Sequence, residues 1–447
     1  MKRLFAILAA IALGNGVEAA NLTIAKNIRI DMGGKYYPLG APTNLINNSY
    51  PLKDGGSLVT DPLPSDNALL RFSSTDALIW SNSVQILAPQ ILDASAFAEL
   101  QDGRLAFLVH TQGNRPSLIF VIGSDGAGLT QYPLPQLVNP SDDFTTLLAQ
   151  PDGLLVGGLG TVAGSSYASC FVMGFSTNFD KVWQRDYRSM SMMQPKLASY
   201  RDGYVLASGG HTSYGTSCTF TAISTNGITQ WQRSINGAGY ESLSGWGDNI
   251  VTVLACGDGG LLVGFSSDTT PGGSKTAPSY GGSDIWLVKL DTNGNKLWDH
   301  SFGGAGDEIL GSVQPTDDGG FLVAGWTLNS QVSGNKAVDG DGVWLLKLTP
   351  NGLKESEAVI ESYGFDNPIA LLPAPTGYRL AVASWILDVA VRRVIDITAA
   401  STGNAFRVDY SHDLLNWTNI VSHYNGTISL EEDMEAGSKF YRCEEVP

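Results

Sequence analysis

Asp307 to Ile360 reads DEILGSVQPTDDGGFLVAGWTLNSQVSGNKAVDGDGVWLLKLTPNGLKESEAVI. Residues 309–316 alternate as a strand, and Asp317-Asp318-Gly319-Gly320 makes a tight turn into a second strand at 321–327. A long loop, 328–341, leads to a third strand at 343–348, and Thr349-Pro350-Asn351-Gly352 turns it into a fourth. Asp-Gly and Asn-Gly supply the positive φ that short hairpins require. Four antiparallel strands in one such unit make one blade of a propeller.

The same anchor recurs along the chain. Asp54-Gly55, Asp102-Gly103, Asp152-Gly153, Asp202-Gly203, Asp258-Gly259, Asp318-Gly319 and Thr376-Gly377 each precede an apolar run. Seven anchors at a near-constant period identify a repeat architecture. The expected fold is therefore all-β: a β-propeller of about seven four-stranded blades over residues 21–397, with a small C-terminal β-module at 398–447. A ring removes the exposed edges of a linear array. The last repeat lacks a clear fourth strand, and residues 21–31 are expected to supply it. A tryptophan follows the second hairpin turn in several repeats: Trp80, Trp183, Trp231 and Trp298. Large rings there are expected to pack between blades.

Lys2 and Arg3, an apolar run at 4–13 and the small residues around Val17-Glu18-Ala19 make residues 1–20 a secretory signal. The expected location is therefore extracellular or cell-surface, with the periplasm as the alternative. No later stretch is apolar enough to span a membrane. The formal charge of −16 grows slightly more negative without that segment. Such a surface repels nucleic acid and anionic lipid. Four cysteines, Cys170, Cys218, Cys256 and Cys443, permit a disulfide in an oxidising compartment, and buried thiols are the equal alternative.

Three segments carry a family likeness. Ser301-Phe302-Gly303-Gly304 with Asp307-Glu308, Thr316-Asp317-Asp318-Gly319-Gly320-Phe321, and Asp284-Ile285-Trp286-Leu287-Val288-Lys289-Leu290 resemble bacterial secreted β-propeller repeat proteins. The likeness is good over 230–355 and weaker over 50–230. It implies a fold and an extracellular location, and it implies no catalytic residues. Phe406-Arg407-Val408-Asp409-Tyr410-Ser411, Leu414-Leu415-Asn416-Trp417-Thr418 and Phe440-Tyr441-Arg442 resemble a short C-terminal β-module of secreted proteins from environmental bacteria. The other reading makes 406–410 the fourth strand of the last blade.

Strand order places the loops. First-to-second and third-to-fourth turns share one face and are tight. Second-to-third loops and inter-blade links share the other and are long: 158–169, 266–282, 328–341 and the link 236–249. Recognition falls on variable loops over a rigid scaffold. The ligand-binding candidates are Tyr167, His211, Tyr214, Tyr240, Trp246, Asp268, Tyr280, Asp307 and Glu308, with Asp339 and Asp341 as weak calcium candidates. Aromatic and acidic groups on one face suit a sugar or a peptide.

Chemistry-bearing motifs are sparse. The stretch 338–342 has spaced carboxylates but lacks a full calcium loop. Ser224-Thr225-Asn226-Gly227 before Trp231 resembles the Asp-box of sialidases with the spacing wrong, and Leu290-Asp291 through Trp298 resembles the docking motif of quinone-dependent dehydrogenases with its glycine one place early. The five histidines, His110, His211, His300, His412 and His423, form no zinc motif, and no nucleophile elbow occurs. No catalytic residue and no cofactor is called for. The reading is a secreted non-catalytic binding or scaffold propeller whose partner is an extracellular glycan or protein. A polysaccharide hydrolase or lyase and a structural surface protein are the alternatives.

Overall fold

The computed structural model describes residues 22–31 and 49–446 except 55, 62–67, 74–77, 84–89, 92–95, 112–116, 136–142, 162–167, 188–194, 213–214, 238–251, 329–330, 362–369, 375–376, 383–384, 400–404, 412–417, 425–426 and 434–439. Every regular element among the described residues is a strand, and no described helix is long and apolar enough to cross a membrane. The chain is an all-β propeller built from antiparallel sheets that follow the repeats one for one.

Blade 1 is Ser49–Pro51, Ser57–Asp61, Ala68–Phe72 and Leu78–Ser83. Blade 2 is Phe97–Glu99, Leu105–Thr111, Leu118–Ile122 and Thr130–Pro133, with Gln90–Ile91 on the far end of its second strand. Blade 3 is Asp143–Gln150, Gly153–Thr161, Ala168–Ser176 and Lys181–Tyr187. Blade 4 is Lys196–Tyr200, Gly203–Thr212, Gly215–Ser224 and Thr229–Ile235. Blade 5 is Thr252–Ala255, Leu261–Ser267, Asp284–Leu290 and Lys296–Phe302. Blade 6 is Asp307–Pro315, Phe321–Leu328, Gly342–Leu348 and Lys354–Glu361. Blade 7 opens with Ala370–Ala374, Gly377–Val382 and Trp385–Ala399.

Each apolar cluster is shared by two successive sheets. Leu52, Leu58 and Leu69 of blade 1 meet Phe107, Phe120 and Ile122 of blade 2. Phe220 and Ala222 of blade 4 meet Phe265, Trp286 and Val288 of blade 5, and Ile285 and Leu287 of blade 5 meet Val323, Trp344 and Leu346 of blade 6. The middle strands of blades 5 and 6 are buried along nearly their whole length. They read as continuous apolar runs because both faces are covered.

The hairpin tryptophans pack between blades, each against the next blade's turn. A Cβ on Gly126, Gly227, Gly294 or Gly352 would stand 2.5 to 2.7 Å from Trp80, Trp183, Trp231 or Trp298 respectively. All four glycines have φ between +76 and +80. One residue thus meets two demands, a left-handed backbone and a flat seat for an indole. Blade 3 solves the same problem differently: Phe179 takes the turn position with φ 64, and its ring stacks on Tyr132 of blade 2 at 4.2 Å.

The tight-turn face is stitched by polar bonds. A basic side chain on the third strand reaches the turn aspartate in three blades: Arg71 to Asp54 at 2.5 Å, Lys289 to Asp258 at 2.9 Å and Lys347 to Asp318 at 2.8 Å. Between blades, Tyr187 donates to Gly227 O at 2.6 Å, Tyr200 to Thr292 O at 3.0 Å and Tyr378 to Pro315 O at 2.7 Å.

Contacts divide the chain into two compact units. One holds blades 1–6, apart from Lys354–Ser356, and the start of blade 7, ending at Val389. The other holds Leu22–Asp31, Lys354–Ser356 and the strands after Val389. In that unit Leu22–Asp31 pairs with Ala390–Ala399, the half of the long strand beyond the residues paired with Gly377–Val382. Thr427–Asp433 pairs with the same half. Ala405–Ser411 pairs with Thr418–Tyr424 and Phe440–Val446, so it joins no blade. Cys170, Cys218 and Cys256 are thiols, the first two buried.

Candidate functional site

The long loops of blades 5 and 6 are built alike, and each leans back on the blade before it. In blade 5 the loop folds into a bridge between Gly272 and Lys275 with Gly273 at φ +57. Ser274 N–H then donates to Asn236 O at 2.6 Å, at the exit of blade 4. In blade 6 the bridge joins Ser333 and Lys336 with Gly334 at φ +60. Asn335 N–H donates to Gly303 O at 3.1 Å, while its side chain accepts from Gly303 N–H at 2.9 Å and donates to Ser301 O at 2.8 Å. Ala305 N–H donates to Ser333 Oγ at 2.8 Å. Each long loop is thus a clasp over the preceding link.

Buried charge holds each clasp. Lys275 and Lys336 are each 1% exposed. Lys275 donates to Ser267 Oγ at 2.8 Å and Thr269 O at 2.7 Å, and its ammonium lies 5.4 Å from the Trp286 ring centre. Lys336 donates to Gly340 O at 3.0 Å. An ammonium removed from water needs such partners. One acid on the fourth strand completes each set. Asp299 accepts from Thr276 N–H at 2.8 Å, Ala277 N–H at 2.9 Å and Trp286 Nε1 at 3.1 Å. Glu357 accepts from Ala337 N–H and Trp344 Nε1, each at 3.0 Å. Burial alone would raise the Asp299 pKa, but the bonds from Lys296, Thr276 and the two amides outweigh it and hold the carboxyl at about 2.

A second acid pair sits where blade 5 passes into blade 6. Asp284 and Glu308 are both 0% exposed. Glu308 Oε2 accepts from Gly304 N–H at 2.7 Å, and Oε1 accepts from the Thr327 hydroxyl at 2.8 Å. Asp284 Oδ2 accepts from Tyr280 N–H at 2.9 Å, whereas Oδ1 is buried with no donor in reach. A Cβ on Gly303 would overlap Asp284 Oδ1 and stand 2.8 Å from Glu308 Oε2, so the two carboxyls crowd one glycine. Burial pushes Asp284 up to about 6, with Glu308 adding to the effect and the Tyr280 amide and Lys275 opposing it.

The candidate residues separate under this geometry. Asp268, Asp307, Asp339 and Asp341 are exposed on the long-loop side. Asp307 Oδ1 accepts from Ser283 N–H at 2.9 Å and so ties the link while remaining at the surface. Tyr280 is half-buried, and a Cβ on Gly334 would stand 2.8 Å from it, so it packs loop against loop. Glu308 is interior. His211 stands in the second strand of blade 4 opposite Thr216. In that blade the second and third strands pair as far as Thr212 and Gly215. In blade 3 the strands run to Thr161 and from Ala168, which shortens the loop expected at 158–169. Tyr167, Tyr214, Tyr240 and Trp246 lie outside the described residues.

Sequence reading passed over Lys275, Asp284, Asp299, Asn335, Lys336 and Glu357. The available signal was the paired Gly273-Ser274-Lys275-Thr276-Ala277 and Gly334-Asn335-Lys336-Ala337-Val338, each a short distance before a Trp-Leu strand. Among the described residues no group of three or more His, Cys, Asp or Glu could hold a metal ion. A groove of about 70 Å³ lies on the tight-turn face, lined by Asp102, Arg104, Gln150 and Phe179 among others. Small-molecule sites typically run to roughly 300–1,000 Å³.

No family model matches the chain, and no curated protein is similar to it at a significant level. Solved structures are similar at low identity. The β-propeller domain of the Trilobed protease from Pyrococcus furiosus shares 12% identity at a TM-score of 0.42, over 77% of this chain and 90% of that one. A puromycin hydrolase shares 16% at a TM-score of 0.47, over 86% of this chain and 54% of its own. The polysaccharide lyase Uly1 shares 11% at a TM-score of 0.39, over 74% and 81%. Identities this low say nothing about activity.

Proposed function

We propose that the protein is a secreted, non-catalytic binding or scaffold propeller presenting the long-loop side of blades 5 and 6 to an extracellular glycan or protein. The observation that carries this reading is the pair of clasps. Their lysines and acids are spent inside the fold, while Asp268, Asp307, Asp339 and Asp341 stay exposed beside them on the long-loop side. A rigid surface of carboxylates lowers the ordering cost of binding and favours a partner rich in hydroxyl or cationic groups.

The test uses the full chain on a glycan array and on immobilised extracellular proteins, with polysaccharide breakdown assayed in parallel. Asp268→Asn with Asp307→Asn should weaken the best binder by about tenfold or more, the equivalent of about 1.4 kcal/mol. Turnover of a polysaccharide, abolished by a single Asp or Glu change, would overturn the non-catalytic reading. Binding unaffected by all four aspartate changes would move the site off this face. Secretion is checked by fractionating cells expressing the complete chain.

A further inference from the structure

Asp284 Oδ1, in the acid pair under Gly303, is one of four buried side-chain atoms among the described residues with no hydrogen-bond partner. Glu308 accepts a hydrogen bond on each oxygen. Asp284 has a donor on one oxygen and none on the other. The groups around them are accounted for. The blade 5 loop brings Lys275 and Ser279 toward Asp284, the first strand of blade 6 brings Glu308 itself and Asp307, and the blade 6 loop brings Lys336 toward Glu308. Lys275 gives donors to Ser267 and Thr269, and Lys336 gives one to Gly340.

We infer that Asp284 and Glu308 share one proton, carried on Asp284 Oδ1, and that losing it loosens the clasp between blade 5 and blade 6. With the proton present, the orphan oxygen becomes a donor beside Glu308, both carboxyls lying against the side-chain-free Gly303. Without it, two carboxylates meet in a space closed to water, where their repulsion is poorly screened. The loosened parts are the ones the pair holds directly: the Tyr280 amide on one side and the Gly304 amide on the other.

The sign follows from the direction of the shift. The folded Asp284 value, about 6, lies above the ordinary carboxyl value of 3.8. Its stabilisation is therefore full in acid, declines as pH rises between those two values, and has gone above the folded one. Between about pH 5 and about pH 7 the local opening constant should rise about tenfold. Asp299 stays ionised across this window, its carboxyl being held at about 2.

Two measurements on the full chain test it. Infrared difference spectra between about pH 5 and about pH 7 should show a protonated-carboxyl carbonyl band that disappears in Asp284→Asn. Hydrogen exchange, corrected for the intrinsic pH dependence of amides, should show protection over 278–286 and 301–310 falling about tenfold in wild type and staying level in Asp284→Asn. Glu308→Gln serves as the second variant, since it removes the repelling charge and keeps one acceptor. An absent band, or protection independent of pH in wild type, overturns the inference. So does protection restored at the higher pH by millimolar Ca²⁺ and removed by a chelator, which would make a cation the missing partner.

Discussion

Replacing Gly227 by Ala tests how neighbouring blades interlock. Gly227 sits at φ +79, and an added Cβ would stand 2.5 Å from Trp183 Cζ3. The same indole also packs on Gly174, where a Cβ would overlap Trp183 Nε1, so it is enclosed by two glycines. Two costs therefore combine. A left-handed Ala costs about 1–2 kcal/mol, and forcing a methyl into filled space costs about 1–3 kcal/mol more. Gly227→Ala should lose about 2–5 kcal/mol. Gly128 separates the two costs, since it has φ +70 with nothing within 4 Å of its Cβ position. Gly128→Ala should lose about 1–2 kcal/mol. Urea titrations followed by tryptophan fluorescence give each value, and a Trp183→Ala background completes the cycle. There the cost of Gly227→Ala should fall to that of Gly128→Ala. Equal losses at the two glycines in wild type, or an unchanged loss without Trp183, would show that the seat does not carry the packing.

Other sites give independent outcomes. The Lys347–Asp318 pair is asymmetric, with Lys347 fully buried and Asp318 partly exposed. Asp318→Ala strands a buried ammonium and should cost about 3–5 kcal/mol in urea melts, whereas Lys347→Met should cost much less. Asp299 at about 2 lies below the ordinary carboxyl value of 3.8. It contributes about 2 kcal/mol that is present above the unfolded value and lost as pH falls through the folded one. Asp299→Asn should therefore flatten the acid limb of stability measured between about pH 4 and about pH 2. Tyr187→Phe removes a 2.6 Å bond to Gly227 O inside the blade 3–4 seam and should cost about 1–3 kcal/mol by thermal melt.

The blades were legible because their signals are local. Asp-Gly and Asn-Gly turns need φ > 0 at one residue, and the apolar runs beside them need only be long enough to cross a sheet. Trp183, Trp231 and Trp298 kept their spacing from those turns, so their packing role could be read as well. The clasps were not legible in the same way. Lys275 and Lys336 look like surface charges in a polar loop, and their burial depends on partners such as Asp299 and Glu357 that lie on another strand. Glu308 looked like a loop residue beside Asp307. One step along a strand turns a side chain to the opposite face, and that step separates exposed Asp307 from buried Glu308. In blade 4, His211 was taken as a candidate on the long-loop face, yet it stands in a strand that pairs on through Thr212 and Gly215.

Subtracting the clasp residues changes what the acidic face can do. Hydrolysis of a glycan by paired acids requires one carboxyl held protonated near neutral pH and open to the leaving group. Among the described residues the carboxyl raised toward that range is Asp284, and it is sealed beneath Gly303 with Glu308 beside it. Asp299, on the same sheet, is pushed the other way by its donors and is equally enclosed. The acids that reach solvent on this side, Asp268, Asp307, Asp339 and Asp341, are spread over two loops and a link. They are the exposed acids that the proposed binding role would use. The residue best tuned to move a proton is placed where only the fold can sense it.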